Sequence, residues 1–389
     1  MIKFFSNLLI KNKDDYQSPE VRQAYGVLCG SVGIGLNIIL FAGKLLAGLF
    51  SHSIAIMADA INNLSDAGSS VITLIGFRLA GQKPDTDHPY GHGRIEYLSG
   101  LFVSLAIIIM AFELFRSSLD KVLHPEPIAD SPIILLILAG SIVVKIYMFY
   151  YNRSIAKKIS STAMEATSID SLSDTMATTV VLIATLVAHF TGLMIDGYCG
   201  IAVSLFICYA GISAVKDTIN PLLGQPPSEE FVQQIRDIVH SYPDVIAIHD
   251  LIVHDYGPGR LMISLHAEVP ASGNVLDLHD TIDNIEHALA AKLKCHAVIH
   301  MDPIITDDAM TNDLKQQAVD ILHEIDAEMT LHDFRLVKGP THTNIIFDIV
   351  VPFSCKIDDV SLRLKIDQAF KKINACYYTV IDIDRNYIS

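Results

Sequence analysis

Four polar residues in two otherwise apolar segments have the types and the spacing to hold a cation. Asn62 and Asp66 stand four apart in Ala58-Asp-Ala-Ile-Asn-Asn-Leu-Ser-Asp66, and Asp170 and Asp174 repeat that spacing in Ile169-Asp-Ser-Leu-Ser-Asp174. Helix positions i and i+4 share a face, so each segment offers two oxygen ligands pointing the same way. Two such helices side by side can converge on one cation as a four-oxygen cage. An ionised carboxylate inside a bilayer costs about 2.5–3.5 kcal/mol on insertion scales, a cost that needs a functional reason. The alternative is that these groups line a water-filled cavity or bond between helices. Asp59 lies on the same side as Asn62 and is an accessory candidate, as helper ligand, proton relay or structural hydrogen bonder. Lys44, Glu113 and Lys145 also fall in apolar segments and read as snorkelling or paired helix charges rather than as ligands.

A second constellation is Asp85-Thr-Asp-His88-Pro-Tyr-Gly-His92-Gly-Arg-Ile-Glu96. Its Asp-x-x-His-x-x-x-His spacing can close a three-ligand site from Asp85, His88 and His92, with Gly91 and Gly93 letting the backbone turn tightly. The alternative is that His92 and Glu96 tie the loop to the helix that follows.

The elements that must position these residues follow from composition. The chain has 389 residues, 51% hydrophobic and 18% charged, with a formal net charge of −15; its mean hydropathy is +0.39. Residues 1–217 carry 15 Lys/Arg and 17 Asp/Glu, whereas residues 218–389 carry 13 and 26 together with 11 of the 16 His. An apolar front and an acidic, His-rich back result. The acidity excludes a generic nucleic-acid binder, which needs basic surface. Six apolar segments, at about 25–50, 54–80, 96–118, 132–151, 164–190 and 196–217, are long enough to span a bilayer as helices. Lys3, Lys11, Lys13 and Arg22, then Lys83 and Arg94, then Arg153, Lys157 and Lys158 fall on one side of such a bundle. The positive-inside rule places that side, both termini and the His-rich half in the cytoplasm. Phe4, Phe5, Leu8 and Leu9 predict one apolar face of an interfacial helix. The six Cys form no CxxC pair and read as free thiols.

These residues together resemble the cation diffusion facilitator family, over roughly residues 20–305. The likeness rests on Asp59 to Asp66, on Asp85 to Glu96 and on Asp170 to Asp174. It implies a six-helix transmembrane bundle (25–217) after a short cytoplasmic arm (1–24), followed by a cytoplasmic dimerisation and metal-sensing domain (218–305). It also implies proton-coupled efflux of a divalent cation from the cytoplasm by a homodimer in the cell membrane, and no enzymatic activity. The transport ligands it implies are Asn62, Asp66, Asp170 and Asp174, with a second metal at Asp85, His88 and His92. Zinc-transporting members usually carry a His in the first set. An all-oxygen set suits Mn(II) and other hard cations and is similar to the bacterial manganese-exporting branch. Zn(II), Fe(II) and Co(II) efflux remain alternatives, as does a membrane metal sensor or scaffold that does not transport.

In the second half the periodicity predicts an αββαβ order with a small antiparallel sheet, similar to a metallochaperone fold. Its candidate ligands are His249, His266, His279, His300 and Asp302, a set resembling the family's regulatory zinc site, which Zn(II) or Mn(II) would fill. Residues 306–389 read as a degenerate second copy. His249-Asp-Leu-Ile is echoed by His332-Asp-Phe-Arg, and Val298-Ile-His-Met-Asp302 by Val380-Ile-Asp-Ile-Asp384. The copy has Asp348 and Asp382 where the first has His266 and His300. It is either a structural partner that enlarges the dimer or a sensor of a harder ion through Asp348, Asp382 and Asp384.

Overall fold

The computed structural model describes residues 2–16, 18–51, 54–124, 132–191, 193 and 195–386; some helix side chains, that of the accessory candidate Asp59 included, lie outside this description. Among the described residues seven helices come first: α1 (Ile2–Leu9), α2 (Pro19–Ser51), α3 (Ile54–Ala80), α4 (Ile95–Leu123), α5 (Pro132–Ile159), α6 (Thr162–Thr191) and α7 (Asp196–Leu223). Among the described residues, α2 and α4 to α7 are long and apolar enough to cross a membrane. Helix α3 has 27 residues, about 40 Å at 1.5 Å per residue, but Asn62, Asn63, Ser65, Asp66, Ser69 and Ser70 lower its apolar character.

The helices pack as α2 on α3, α4 on α7 and α5 on α6. Small residues let the backbones approach, as is usual between membrane helices. A Cβ on Gly26 would fall 2.1 Å from the Phe77 ring, and one on Gly100 would fall 3.0 Å from the Ala163 backbone. Val103, Ile107 and Ala111 of α4 bury themselves against Ala166 of α6 and Val203 and Ile207 of α7. In α1, Phe4, Leu8 and Leu9 are exposed, while Phe5 packs inward on the cluster around Tyr25 and Met148. The expected apolar face is therefore narrower than the sequence pattern suggests. Arg22, counted above as a cytoplasmic base, is buried and paired with Glu96 at 3.1 Å.

Residues 226–254 and 261–389 form a separate compact unit, and residues 255–260 cluster with the helices. The unit runs α8 (Glu229–His240), β1 (Ala247–Asp255), β2 (Leu261–Pro270), α9 (Val275–Leu293), β3 (Cys295–Ile304), then α10 (Ala309–Ile325), β4 (Thr330–Lys338), β5 (Thr343–Pro352), α11 (Asp359–Ile373) and β6 (Tyr377–Asn386). Each of its four helices starts on a side chain that accepts from a first-turn amide: Ser228, Asn274, Asp308 and Asp358. Such caps satisfy amides that the helix itself leaves unpaired.

Two three-stranded sheets result, ordered β1-β2-β3 and β4-β5-β6. The first is not the antiparallel sheet expected from the sequence, because β3 runs parallel to β2. The reason is α9, which carries the chain across the sheet before β3 and so returns it in the same direction. In the second sheet β4 and β5 are antiparallel and β5 and β6 parallel. Cross-strand partners correspond: His266 faces His300 in the first sheet and Asp348 faces Asp382 in the second. Asp250 and Asp333 adopt φ of 50° and 49°, a left-handed conformation that Asp tolerates better than most residues. Asp333 lies within a register irregularity of β4. Leu265, Ile285 and Leu289 are fully buried in the first core, and Phe347, Leu362 and Phe370 in the second.

Candidate metal centres

Asp66 of α3 and Asp170 and Asp174 of α6 come together inside the helical unit. All three are buried, and one oxygen from each lies within 4.8 Å of the others. Helix α3 is held against α6 two turns further along by Thr73 and Thr167, whose hydroxyls are 3.0 Å apart. Within α6 the hydroxyls of Ser171, Ser173 and Thr175 donate to carbonyls four residues back. These bonds satisfy polar side chains that would otherwise be stranded in an apolar bundle. Asn62 is exposed, whereas its neighbour Asn63 is buried.

Lys145 of α5 stands between two of these carboxylates. Its Nζ donates to Asp66 Oδ2 at 2.7 Å and to Asp174 Oδ2 at 2.6 Å, with only 3% of the side chain exposed. Of the two sequence readings of Lys145, pairing describes it and snorkelling does not. An ammonium thus occupies oxygens that a bound cation would need. Asp66 Oδ1 is buried with no hydrogen-bond partner.

The loop residues Asp85, His88 and His92 also converge. Asp85 Oδ1 is 3.5 Å from His88 Nδ1, Asp85 Oδ2 is 3.4 Å from His92 Nε2, and the imidazole centroids are 4.5 Å apart. Asp85 also accepts from the His88 amide at 2.7 Å; this bond, with help from the His92 charge, holds its carboxyl below the ordinary carboxylate range. The side chain of His92 is 9% exposed and its Nδ1 is buried without a partner. Glu96 turns away from this loop to Arg22.

In the C-terminal unit Asp302 gathers three imidazoles. His266 Nδ1 is 2.9 Å and His249 Nε2 3.3 Å from Asp302 Oδ2, and His300 Nε2 is 3.2 Å from Asp302 Oδ1. His279 is exposed on α9 and belongs to no ligand cluster among the described residues. Sequence reasoning passed over Asp250, which follows His249 and bonds its Nδ1 at 3.2 Å. Burial opposes the charged form of His249, but the Asp250 hydrogen bond and charge outweigh it and raise the imidazole's pKa. The same bond lowers that of Asp250. The signal for Asp250 was present in the His-Asp dipeptide, repeated at 332–333.

Residues 31–223 match the cation efflux transmembrane domain, and residues 227–304 match the cytoplasmic domain of cation efflux proteins. The chain is 32% identical over 271 residues to an uncharacterized transporter of Methanocaldococcus jannaschii, covering 68% of this chain and 94% of that one. It is 26% identical over 287 residues to the cation-efflux pump FieF of Escherichia coli and of Escherichia fergusonii, covering 73% of this chain and 95% of each of those.

Proposed function

This chain belongs to the cation efflux family, and from that premise we propose that it exports a divalent cation, Mn(II) foremost, by exchange with protons across the cytoplasmic membrane. The observation that carries the reading is the buried convergence of Asp66, Asp170 and Asp174. Three carboxylates without an imidazole favour a hard cation over zinc. Asn62 is the proposed fourth ligand, exposed in this conformation. Helix α3 serves as the sixth span, completing the set with α2 and α4 to α7.

Lys145 gives the exchange a physical course. A cation entering from the cytoplasm displaces the ammonium from Asp66 and Asp174, because the same oxygens cannot serve both. On the outer side protons and Lys145 take those oxygens back and the cation leaves. The carboxylates alternate between metal and proton, and rocking of the bundle alternates the side to which they open. Asp85, His88 and His92 form a second cation site at the loop. His249, His266, His300 and Asp302 fit a regulatory zinc-type ion, since the buried His249 Nε2 lacks a hydrogen-bond partner and points to a carboxylate that two other imidazoles share. The chain acts as a homodimer with both termini cytoplasmic, and residues 306–389 are a second copy of the cytoplasmic domain.

Proteoliposomes test the reading. Mn(II) and Zn(II) uptake into vesicles carrying a pH gradient should show Mn(II) movement that collapses with the gradient. Asp174→Asn should abolish it. Transport by Asp174→Asn at the parent rate would remove the carboxylate site, and movement of no cation at all would remove transport.

A further inference from the structure

The sequence echo between the two αββαβ segments becomes a spatial meeting. His249 of β1 and His332 of β4 stack, with ring centroids 4.1 Å apart and planes 25° from parallel. They are equivalent positions of the two segments. His332 Nε2 lies 3.4 Å from Asp384 Oδ2 and 3.7 Å from Asp250 Oδ1. Asp384 is the counterpart of Asp302. The second segment therefore repeats the His–Asp pair of the first, and Asp250 stands where a third ligand is needed. One ligand atom each from His249, Asp250 and His332 lies within 4.8 Å of the others. All four residues line one cavity of about 730 Å³.

One of these side chains is orphaned at both ring nitrogens and another at one. The imidazoles of His332 and His249 are 8% and 7% exposed, yet both nitrogens of His332 and Nε2 of His249 lack a hydrogen-bond partner. A buried polar atom without a partner costs free energy, and the two nitrogens of His332 at this seam need a reason. Ligand atoms around a tetrahedral zinc-type ion, with bonds of about 2.0–2.1 Å, stand roughly 3.3 Å apart. The separations at His332 match that spacing better than they match hydrogen bonds.

We propose that a zinc-type divalent cation binds at the seam between the two segments, held by Asp250 and His332 with Asp384 and His249. The site clamps the C-terminal segment to the first and gives that segment a ligand-binding role. It is distinct from the Asp302 cluster but shares His249 with it: Nδ1 faces Asp250 and Nε2 faces Asp302, so with both ions bound His249 is a bridging imidazolate whose ring proton is released to solvent. A nitrogen–oxygen donor set suits Zn(II) or Co(II) better than Mn(II). Asp382 takes no part, being 84% exposed and turned toward Arg363.

The test counts ions bound to the purified full chain in detergent. An Asp174→Asn background serves throughout, so the outcome does not depend on whether the transport reading holds. Zn(II) stoichiometry is measured after gel filtration, and Co(II) absorption reports nitrogen ligation. His332→Ala should lose one ion per chain, and Asp384→Asn should weaken one site at least tenfold. His249→Ala should lose that same ion. Asp384→Asn is isosteric and its side chain is 46% exposed, so it keeps the fold even if His332→Ala does not. Parent stoichiometry and affinity in Asp384→Asn, or a folded His332→Ala variant that keeps every ion of the parent, would overturn the proposal.

Discussion

Replacing Lys145 with Met tests whether the ammonium competes with the transported cation. The side chain keeps its length and loses its charge. The side chain is 3% exposed and its ammonium sits 2.7 and 2.6 Å from two carboxylates. Removing one partner of a buried ion pair costs about 3–5 kcal/mol, because the remaining charge is left uncompensated. That cost falls on the cation-free protein alone, since a bound divalent ion supplies the missing charge to the same oxygens. The difference appears as tighter binding. At about 1.4 kcal/mol per decade, even the lower bound gives roughly a hundredfold, and partial hydration of the cavity reduces it toward tenfold. Titration of Mn(II) into the purified chain, with free Mn(II) read by electron paramagnetic resonance, measures this directly. Transport should show the other face of the change, a lower KM together with a lower kcat, because the returning ammonium no longer helps expel the ion. Thermal unfolding adds a control: Lys145→Met should melt earlier than the parent without Mn(II) and close to it with saturating Mn(II). Lys145→Arg keeps the charge and should stay near the parent in affinity. If Lys145→Met binds Mn(II) no more tightly than the parent, the ammonium is a structural strut and the displacement argument fails.

Two further outcomes test the scaffold. Gly26→Ala would drive a Cβ into the Phe77 ring, where Phe77 is 1% exposed; overpacking of this kind costs about 1–3 kcal/mol, read as a lower Tm in detergent, and an unchanged Tm would mean that α2 and α3 separate freely. Asp308 caps α10, and its hydrogen bond to Thr311, reinforced by Lys338, lowers its carboxyl to about 2. A carboxyl depressed in the folded state contributes stability above its unfolded value of about 3.9 and loses it as pH falls through the folded value. Asp308→Ala should therefore melt below the parent at neutral pH, with the gap closing between about pH 4 and pH 2; a gap that persists at pH 2 would show that the charge is not the cause.

Much of the fold was legible because bilayer-length apolar runs leave little freedom. The structure extends the helices beyond those runs, to Pro19 at the start of α2, Ile159 at the end of α5 and Leu223 at the end of α7. A helix continues through polar residues once it has left the apolar stretch, so an apolar window underestimates its length. Proline at the first position of α2 is itself a start signal. The sequence pattern suggests an antiparallel β3, although the order of elements already contains the answer: a strand that follows a crossover helix returns parallel. Phe5 leaves the expected face because five apolar residues in a helix of eight do not reveal which of them the neighbouring helices cover.

The centres divide by how much of their geometry is local. Spacing along one helix placed Asp170 beside Asp174, and spacing within one loop gathered Asp85, His88 and His92. Spacing was weaker at α3. With about 100° per residue, Asn62 lies roughly 40° and Asn63 roughly 60° from Asp66 around the axis, on opposite sides. Which of the two is buried is decided by the helices packed there, and the structure buries Asn63. Lys145 lies 79 residues from Asp66 and 29 from Asp174, so no pattern in its own segment could distinguish a lysine that bridges them from one that snorkels. The clue that was available is energetic: three buried carboxylates in one bundle require positive charge nearby, and Lys145 is a basic residue in the middle of a facing span. The seam cluster is less local still. His332 was recognisable as an echo of His249, but an echo states equivalence and not proximity. Their stacking, and the completion of the second pair by Asp250 from the first segment, depend on how the two segments pack.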